Sequence, residues 1–366
     1  MTMAIEATDK IIFIKIRRRR KVKKRQYELR RLRRLAKAKP RHKVYTPPRA
    51  SKGGSGSNDQ SVSHVFQINA PKDFRLLKNT EECVKFFKKV RDRHKAFTNK
   101  VGILEVHIDL SAVMHIDFAS TMMLDAICDE LSSTPPLCNV WGNAPLRPDC
   151  RQYLIDSGFL SNKVDALGRD YGLVGNSDSM KIERGQVKLE DDQILKVVEI
   201  EKHICKHVTG SEGRLYRHIE MIKEICGNTV DWSEAKRDQW SYGVKFEEEK
   251  VIVVALDLGK GILESISRRF TTFVEDMLAR NTHVDILDGA FNRKYGSKSK
   301  RKNRNRGLPS IKYAQEKGII KELTVVTNNV VLDFEHRENS RKFHWNRKRA
   351  LEATLYSWVI DASCYK

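Results

Sequence analysis

Two residues in the second half of the chain have the types and the spacing for metal chemistry. Glu224 and Asn228 lie four residues apart in a segment where Ile219, Ile222 and Ile225 recur at helical spacing. On a helix, residues four apart project from the same side, so both side chains can reach one ligand. A carboxylate and an amide oxygen placed in this way suit a magnesium ion and the water beside it. Such pairs are also common on solvated helix faces, so the pair alone leaves both interpretations open.

A second group combines an acid with two glycines at the end of an apolar run. The run Lys250–Leu256 predicts a buried strand, and it leads into Asp257, which is followed by Gly259, Lys260 and Gly261. An acid at a strand end can accept a hydrogen bond, and alternate glycines let the backbone pass close to a ligand. A tight turn explains one glycine, but it explains both glycines and the acid less readily.

A third group stands at the start of a predicted helix. Arg306, Gly307 and Leu308 open a segment with helical character that extends to Glu316. Backbone amides at the start of a helix favour phosphate. The run 293–306 just before it contains eight Lys or Arg residues and no acid.

In sequence order, these groups resemble the motifs of the GHKL ATPases, which include gyrase B, Hsp90, MutL and the catalytic domains of histidine kinases. The helix with Glu224 and Asn228 is similar to the N box, where the glutamate activates the attacking water and the asparagine holds magnesium. The segment from Asp257 to Gly261 matches the Asp-x-Gly-x-Gly box, whose aspartate receives the adenine amino group. The resemblance implies ATP and Mg²⁺ as ligands.

Two further pieces extend the resemblance over residues 190–366. Arg306-Gly307-Leu308 is similar to the second glycine box, which makes the basic run 293–306 part of an ATP lid. Leu351–Leu355 is similar to the family's Gly-Thr strand, which implies that Thr354 lies beside Asp257. The chain departs from the pattern at Asn305 and Ala353, where the family has glycine. The implied fold is an α/β sandwich with a mixed sheet and helices on one face.

The region 61–165 alternates short apolar strands with amphipathic helices, which predicts a small α/β layer fold. The predicted strands lie at 64–68, 101–108 and 138–141, and the predicted helices at 83–90, 118–131 and 148–159. In the first of these helices, Lys88, Lys89, Arg91 and Arg93 are predicted to lie outside the apolar face. The chain therefore has the composition of a two-domain α/β protein, with a linker predicted at 166–189.

The order of elements in this region resembles the STAS fold of anti-anti-sigma factors. The resemblance rests on Asp109-Leu110-Ser111 after a strand, Ile116-Asp117 before a helix, and Ser157-Gly158-Phe159 at the end of the last helix. Members regulated by phosphorylation carry a serine pair just after the aspartate. Here Ala119 stands at the usual phosphoacceptor position, and Ser120 is predicted to cap or pack at the start of the helix.

Residues 1–60 form a predicted flexible basic arm that ends in a Gly/Ser linker. Between Lys15 and Lys43, seventeen residues are Lys or Arg and one is acidic, so this segment carries +16 of the net charge of +22. Such a density of charge predicts binding to nucleic acid by release of counterions. An acidic protein or an anionic membrane surface could use the same charges, and a solvated tail without a partner is the remaining alternative.

Composition excludes several classes of protein. Hydrophobic residues make up 40% of the chain, which is enough for ordinary cores, and no run approaches the roughly 20 apolar residues of a membrane helix. The seven cysteines are scattered without a Cys-x-x-Cys pair, which favours a reducing cytoplasm and argues against a disulfide framework. We expect a soluble cytoplasmic protein, and by analogy a bacterial regulatory one.

Three functions are compatible with these features. The first is a nucleotide-dependent switch with slow ATPase activity that acts in a nucleic-acid-associated or regulatory complex. The second is a serine protein kinase that is similar to the anti-sigma factors, and the third is a nucleic-acid-binding scaffold with a structural nucleotide. His203, His207 and His218 are predicted to be surface or packed residues, and the basic segment 337–349 is predicted to be an insertion between the last strands.

Overall fold

A computed structural model describes most of the chain outside the basic arm. The described residues are 63–97, 103–133, 138–160, 179–185, 191–232, 240–267, 282–292, 307–343 and 351–366. They all belong to one compact unit. The arm with its basic segment 15–43, the lid run 293–306 with Arg306, and residues 344–350 of the predicted insertion lie outside the described residues.

The first region, 63–160, is built on a parallel sheet with the strand order β1-β3-β5. Parallel neighbours need a crossover connection, and helices provide it here. The elements are β1 (Ser63–Asn69), β2 (Asp73–Phe74), α1 (Thr80–Ala96), β3 (Ile103–Asp109), β4 (His115–Ile116), α2 (Phe118–Ser133), β5 (Cys138–Asn143) and α3 (Pro148–Asp156). The strands and helices that the sequence predicts for this region are present, with bounds that differ by a few residues.

Helix α2 begins with hydrogen bonds between Asp117 and Ser120. The Asp117 carboxylate accepts the backbone N–H of Ser120 at 2.7 Å, and the Ser120 hydroxyl donates to the Asp117 carbonyl at 2.9 Å. These bonds satisfy groups that a helix end leaves without a partner in the helix. Ser120 is fully buried and Ala119 nearly so, which confirms that Ser120 packs at the start of the helix.

The second region is built on a seven-stranded sheet with the order β11-β10-β9-β12-β8-β7-β6. Its strands are β6 (Met180–Gly185), β7 (Trp240–Phe246), β8 (Lys250–Asp257), β9 (Lys321–Asn328), β10 (Val330–Asp333), β11 (Arg341–Lys342) and β12 (Leu351–Asp361). Every neighbouring pair in the described part of this sheet is antiparallel. A mixed sheet would contain at least one parallel pair. The expectation of a mixed sheet is therefore wrong for the strands that the structure describes.

Helices cover one face of this sheet. They are α4 (Asp191–Thr209), α5 (Tyr216–Trp232), α6 (Ile262–Ser267), α7 (His283–Phe291) and α8 (Gly307–Glu316), and 3₁₀ turns lie at Arg337–Asn339 and Ala362–Tyr365. Successive side chains of strand β8 point to opposite faces of the sheet, and both faces are buried. Val253 and Ala255 join the core under the helices, whereas Val254 and Leu256 join the core on the opposite face. We call these two cores the helix-side core and the shared core.

The shared core joins the two regions. Helix α2 packs on β7 and β8, and Leu256 and Leu355 of the large sheet lie in one cluster with Phe118 and Met122 of the first region. At Gly243 a Cβ atom would lie 2.7 Å from the sulfur of Met122, so the two regions are in close contact there and a larger residue would require the Met122 side chain to move. Each face of the large sheet is thus covered, one by its own helices and the other by the first region.

The second region begins earlier than the sequence indicates. Strand β6 lies inside the segment 166–189 that was expected to be a linker, and it pairs with β7 at the edge of the large sheet. Arg184 of β6 forms an ion pair with Asp125 of α2, which ties this edge strand to the first region. In the part of the chain that the structure describes, no helix is both long enough and apolar enough to cross a membrane.

Candidate ligand site at the ends of strands β8, β9 and β12

Three polar side chains lie side by side at one end of the large sheet. The register places Thr354 of β12 directly opposite Asp257 of β8, and Thr327 of β9 opposite Thr354 on its other side. Each of these three residues lies two positions along its strand from a residue of the helix-side core. Because side chains alternate along a strand, all three point to the face of the sheet that the helices cover, which we call the helix face. The hydroxyl oxygens of Thr327 and Thr354 are 3.3 Å apart. We call Asp257, Thr354 and Thr327 the polar row.

The glycine loop after Asp257 is fastened to the end of β9. The backbone N–H of Gly259 donates to Asp257 Oδ1 at 2.8 Å, which folds the chain back over the strand end. The Asn328 side chain donates to the Lys260 carbonyl at 2.8 Å and accepts the N–H of Leu263 at 3.0 Å. Two side-chain hydrogen bonds from one asparagine thus hold both ends of the loop.

Gly261 is required at its position for two reasons. Its φ is +82°, a backbone conformation that side chains other than glycine rarely adopt. A Cβ atom there would lie 2.5 Å from Asn328 Oδ1. Asn328 itself has a φ of +54°, which asparagine tolerates better than most residues. The loop therefore packs against Asn328 too closely for any side chain at this position.

Asp257 sits at the boundary between protein and solvent. It keeps part of its surface accessible, although most of its surroundings are protein. Burial raises the pKa of Asp257 to about 6, while hydrogen bonds from the Gly259 N–H and the Thr354 hydroxyl and the positive charge of Arg91 act to lower it. A carboxylate in such a position is poised to accept an N–H donor from a ligand.

Helix α5 passes over this end of the sheet, and it carries Glu224 and Asn228 as predicted. Cys226, between them, is buried, and its pKa is raised first by burial and then by the charge of Asp257. Glu224 is exposed. Asn228 lies one turn further along the helix backbone, and its side chain lies outside what the structure describes. Among the described residues, no group of three or more His, Cys, Asp or Glu side chains could hold a metal ion.

Helix α8 spans Gly307–Glu316 and ends at the residue that the sequence predicts, while the predicted opening at Arg306 lies outside the described residues. Gly307 is buried, and Leu308 packs against the helix-side core. Helix α8 packs on α5, and Lys312 donates to the Asn292 side chain just after α7. The two described elements that flank the run 293–306 are therefore in contact, while Arg306 lies outside the described residues.

Sequence reasoning missed three residues of this site, Thr327, Asn328 and Arg91. Thr327 accepts the N–H of Ile262 at 3.0 Å, which makes it a second anchor of the glycine loop. The Asn328-Asn329 pair between two apolar runs signals a turn, but nothing local indicates that it binds a distant loop. Arg91, predicted to lie outside the apolar face of its helix, is only 6% exposed.

The three histidines of the second region that were singled out are packed or on the surface, as predicted. His218 is fully buried between Glu201 and Trp358, and His203 and His207 are exposed on α4. An open cavity of about 720 Å³ lies beside the exposed pair, and its lining includes Lys181 and Phe246 but none of the polar row.

No protein-family model matches the chain, and a search of curated proteins gives no match either. The function of the site is therefore argued from its residues and their geometry.

Proposed function

We propose that the second region binds ATP with Mg²⁺ and is a slow ATPase of the GHKL type that acts as a nucleotide-dependent switch. The observation that carries the proposal is the partly exposed carboxylate of Asp257 beside the hydroxyl of Thr354. An adenine presents an amino N–H donor, and the Asp257 carboxylate offers the matching acceptor, which the Thr354 hydroxyl holds in place by its own hydrogen bond. The close approach of the glycine loop at Gly259 and Gly261 supports the same assignment.

The remaining site residues take the roles that the family resemblance implies. Glu224 would orient or deprotonate the attacking water, and its exposure on α5 leaves it accessible to water. Asn228 would hold Mg²⁺ together with the phosphates of the nucleotide. Lys260 would contact the nucleotide from the glycine loop, and Arg306, Gly307 and Leu308 would close the lid at the start of α8, where backbone N–H groups favour phosphate.

The two-region assignment is part of the same proposal. The order of strands and helices in 63–160 supports a STAS-like domain, and the order of α5, β8, α8 and β12 supports a GHKL domain in 180–366. In such a fusion the first region would be a built-in partner of the nucleotide-binding sheet. The buried Ala119 and Ser120 argue against phosphorylation of this region by its own neighbour.

Calorimetry on the full chain tests the proposal. We expect ATP to bind in the presence of Mg²⁺ and the Asp257→Asn variant to bind about tenfold to a hundredfold more weakly, because an acceptor is replaced by a group that also donates. We expect Glu224→Ala to bind nearly as well as the parent and to lose hydrolysis. Glu220→Ala, one turn earlier on the same exposed face, is the matched control and should retain both.

Three results would count against the proposal. A parent chain that binds no ATP with Mg²⁺ removes it altogether. Equal loss of binding in Glu224→Ala and Asp257→Asn removes the division of roles between water activation and adenine recognition. With labelled ATP and a candidate STAS partner, transfer of phosphate to a serine of that partner would favour the protein-kinase alternative.

A second candidate function, binding of single-stranded nucleic acid, is favoured by a surface on α5 and α8. Tyr216 and Tyr313 are 63% and 41% exposed. The Arg214 guanidinium lies 4.7 Å from the Tyr216 ring centre, and Arg217 and Lys317 lie 5.7 and 5.6 Å from the ring centre of Tyr313. Exposed rings beside cations suit the stacking of bases and the contact with phosphates.

A salt-titrated gel-shift assay with a single-stranded oligonucleotide tests this candidate. Tyr313→Ala should weaken binding about fivefold or more, while Tyr313→Phe should retain it, because phenylalanine keeps the stacking surface. Deletion of residues 1–60 should reduce the slope of affinity against salt. A slope that the deletion leaves unchanged would exclude a role for the arm.

A further inference from the structure

Arg91 of the first region reaches the backbone of the second region beside the polar row. Its guanidinium forms two hydrogen bonds with the Glu130 carboxylate of α2, at 2.6 and 2.7 Å. It also donates to the carbonyl of Leu258 at 3.2 Å and to the carbonyl of Glu352 at 2.5 Å. Arg91 is buried, so these bonds form away from solvent.

The two carbonyls lie at the ends of the two strands that carry Asp257 and Thr354. Leu258 is the residue after Asp257, and Glu352 lies two residues before Thr354. A single guanidinium thus spans the ends of β8 and β12 at the point where the polar row begins. The side chain of Lys95, one turn further along α1, forms an ion pair with the Glu352 carboxylate and adds a second tie.

The arginine approaches from the face opposite to the ligand. Leu258 packs in the shared core, whereas the side chains of Asp257 and Thr354 are on the helix face. Arg91 therefore contacts the ends of β8 and β12 from the side of the shared core, so its side chain does not compete with a ligand for space. The planar guanidinium has five N–H donors, so it can bind a carboxylate with two hydrogen bonds and still donate to carbonyl oxygens.

We propose that Arg91 is a positioning residue of the nucleotide site, through which the first region fixes the spacing of β8 and β12. This inference rests on the proposed function. Loss of the guanidinium would remove a donor from the carbonyls of Leu258 and Glu352 and from the Glu130 carboxylate. The strand ends would then be free to shift relative to each other, and a shift of the polar row weakens a ligand that spans it.

The charges around Asp257 make the proposal specific. Besides the Gly259 N–H, four side chains act on Asp257 or are affected by it, namely those of Thr354 and Tyr356 of β12, Cys226 of α5 and Arg91 of α1. Among these four, Arg91 carries the positive charge, and it lowers the pKa of Asp257. Its partner Glu130 offsets part of that charge.

The experiment measures affinity of the full chain for ATP with Mg²⁺ by calorimetry between pH 5 and 8. Arg91→Met should weaken binding at pH 7 about tenfold and move the midpoint of the pH profile upward, because Asp257 loses a cation that favours its ionised form. Glu130→Gln should move the midpoint in the opposite direction, because Arg91 then lacks its counter-ion. Arg91→Lys, which keeps the charge without the fork, should weaken binding and leave the midpoint near that of the parent.

Arg184→Met is the matched control. It removes the ion pair with Asp125, which also ties the two regions together but at the distant edge strand β6. It should lower the melting temperature and leave both nucleotide affinity and the pH midpoint unchanged.

Thermal melts establish that each variant is folded. A folded Arg91→Met variant with the affinity and midpoint of the parent would overturn the inference, and so would midpoints of Arg91→Met and Glu130→Gln that move in the same direction. If Arg91→Met does not fold, Arg91→Lys decides: parental affinity overturns the inference, and reduced affinity at an unchanged midpoint supports it. A parent chain that binds no ATP would instead end the proposed function, so the two failures are distinguishable.

Discussion

Two carboxylates on the helix side of the same sheet have opposite environments. Glu201 of α4 is fully buried and accepts three hydrogen bonds, from His218 Nδ1 at 2.6 Å, the Tyr365 hydroxyl at 2.7 Å and the Leu215 N–H at 3.0 Å. Asp257 accepts hydrogen bonds from the Gly259 N–H and the Thr354 hydroxyl and keeps part of its surface open. The first carboxylate is enclosed by donors of the protein, while the second has room for a donor from outside.

The network around Glu201 also fixes the protonation of its histidine. Trp358 Nε1 can only donate, and it lies 3.1 Å from His218 Nε2. His218 Nε2 must therefore accept, so the proton is on Nδ1 and is donated to Glu201. The chain Trp358–His218–Glu201–Tyr365 joins β12, α5, α4 and the last turn in one buried polar network.

Strand β12 carries a part of each site. Thr354 and Trp358 lie four residues apart on the same face of the strand, which corresponds to about 13 Å. The two polar sites on this sheet differ in how completely donors of the protein satisfy the carboxylate. A saturated and enclosed carboxylate stabilises the fold, and a partly open carboxylate with a raised pKa is available to a ligand.

The largest expected effect is on stability, from Glu201→Ala. The substitution leaves three buried donors without an acceptor, and we expect it to reduce the free energy of unfolding by about 3–5 kcal/mol. Urea denaturation of the full chain measures this loss. Glu199→Ala, an exposed acid on the same helix that pairs with Lys202, should leave the unfolding midpoint where it is. If both variants lose equal stability, Glu201 has no special structural role.

The next effect concerns the pH dependence at Asp257. Its pKa is about 6 in the folded protein and near 3.8 when exposed, so folding opposes its ionisation. The stability that the neutral carboxyl provides is present below about pH 4 and is lost as the pH rises through 6. At pH 7, Asp257→Asn should therefore be at least as stable as the parent, and its free energy of unfolding should be higher by up to about 1–3 kcal/mol.

Ligand binding should have the opposite dependence, because the ionised carboxylate is the acceptor. Affinity for ATP should fall as the pH is lowered from 8 to 5, with half of the change near pH 6, and Asp257→Asn should lose this dependence. Glu249→Gln, an exposed change of the same charge in the β7–β8 hairpin, is the control. A variant that destabilises the fold and leaves the pH profile intact would place Asp257 with Glu201 as a structural acid.

The smallest expected effect comes from the glycine loop, where two variants distinguish the cost of backbone conformation from the cost of the contact with Asn328. Gly261→Ala should reduce stability by about 2 kcal/mol and nucleotide affinity severalfold, because φ is positive and the Cβ meets Asn328. Gly318 also has a positive φ, +66°, but no atom lies within 4 Å of a Cβ added there. Gly318→Ala therefore measures the loss of stability that comes from backbone conformation alone. Urea denaturation and calorimetry on both variants check this. Equal losses would mean that the contact with Asn328 contributes nothing.

Several elements could be predicted from local patterns with good accuracy. Helix α8 ends at the predicted residue, Glu316, and β8 ends at Asp257, as the apolar run before it indicates. Thr354 lies opposite Asp257, as the order of motifs implies. The ends of β8 and α8 depend on periodicity and on neighbouring residues in the chain, which a sequence displays directly. The pairing of Thr354 with Asp257 is long-range, and it was expected only from the family resemblance.

Other features could not be predicted because their partners are distant in sequence. Strand β6 has little apolar character, and it is a strand because β7 offers its edge. Arg91 has the charge of a surface residue, and it is buried because Glu130 and two carbonyls of another region satisfy it. Asn328 has the pattern of a turn, and its second role depends on a loop 65 residues away.

The sequence by itself determined where the helices and main strands of the first region lie and which acid and glycines end β8, because hydrophobic periodicity and glycine placement act over a few residues. Only the tertiary structure decided that the first region covers one face of the large sheet, that Glu201 is enclosed and that Arg91 reaches beneath Asp257. Burial and long-range hydrogen bonds set these properties, and they exist only when the strands have come together.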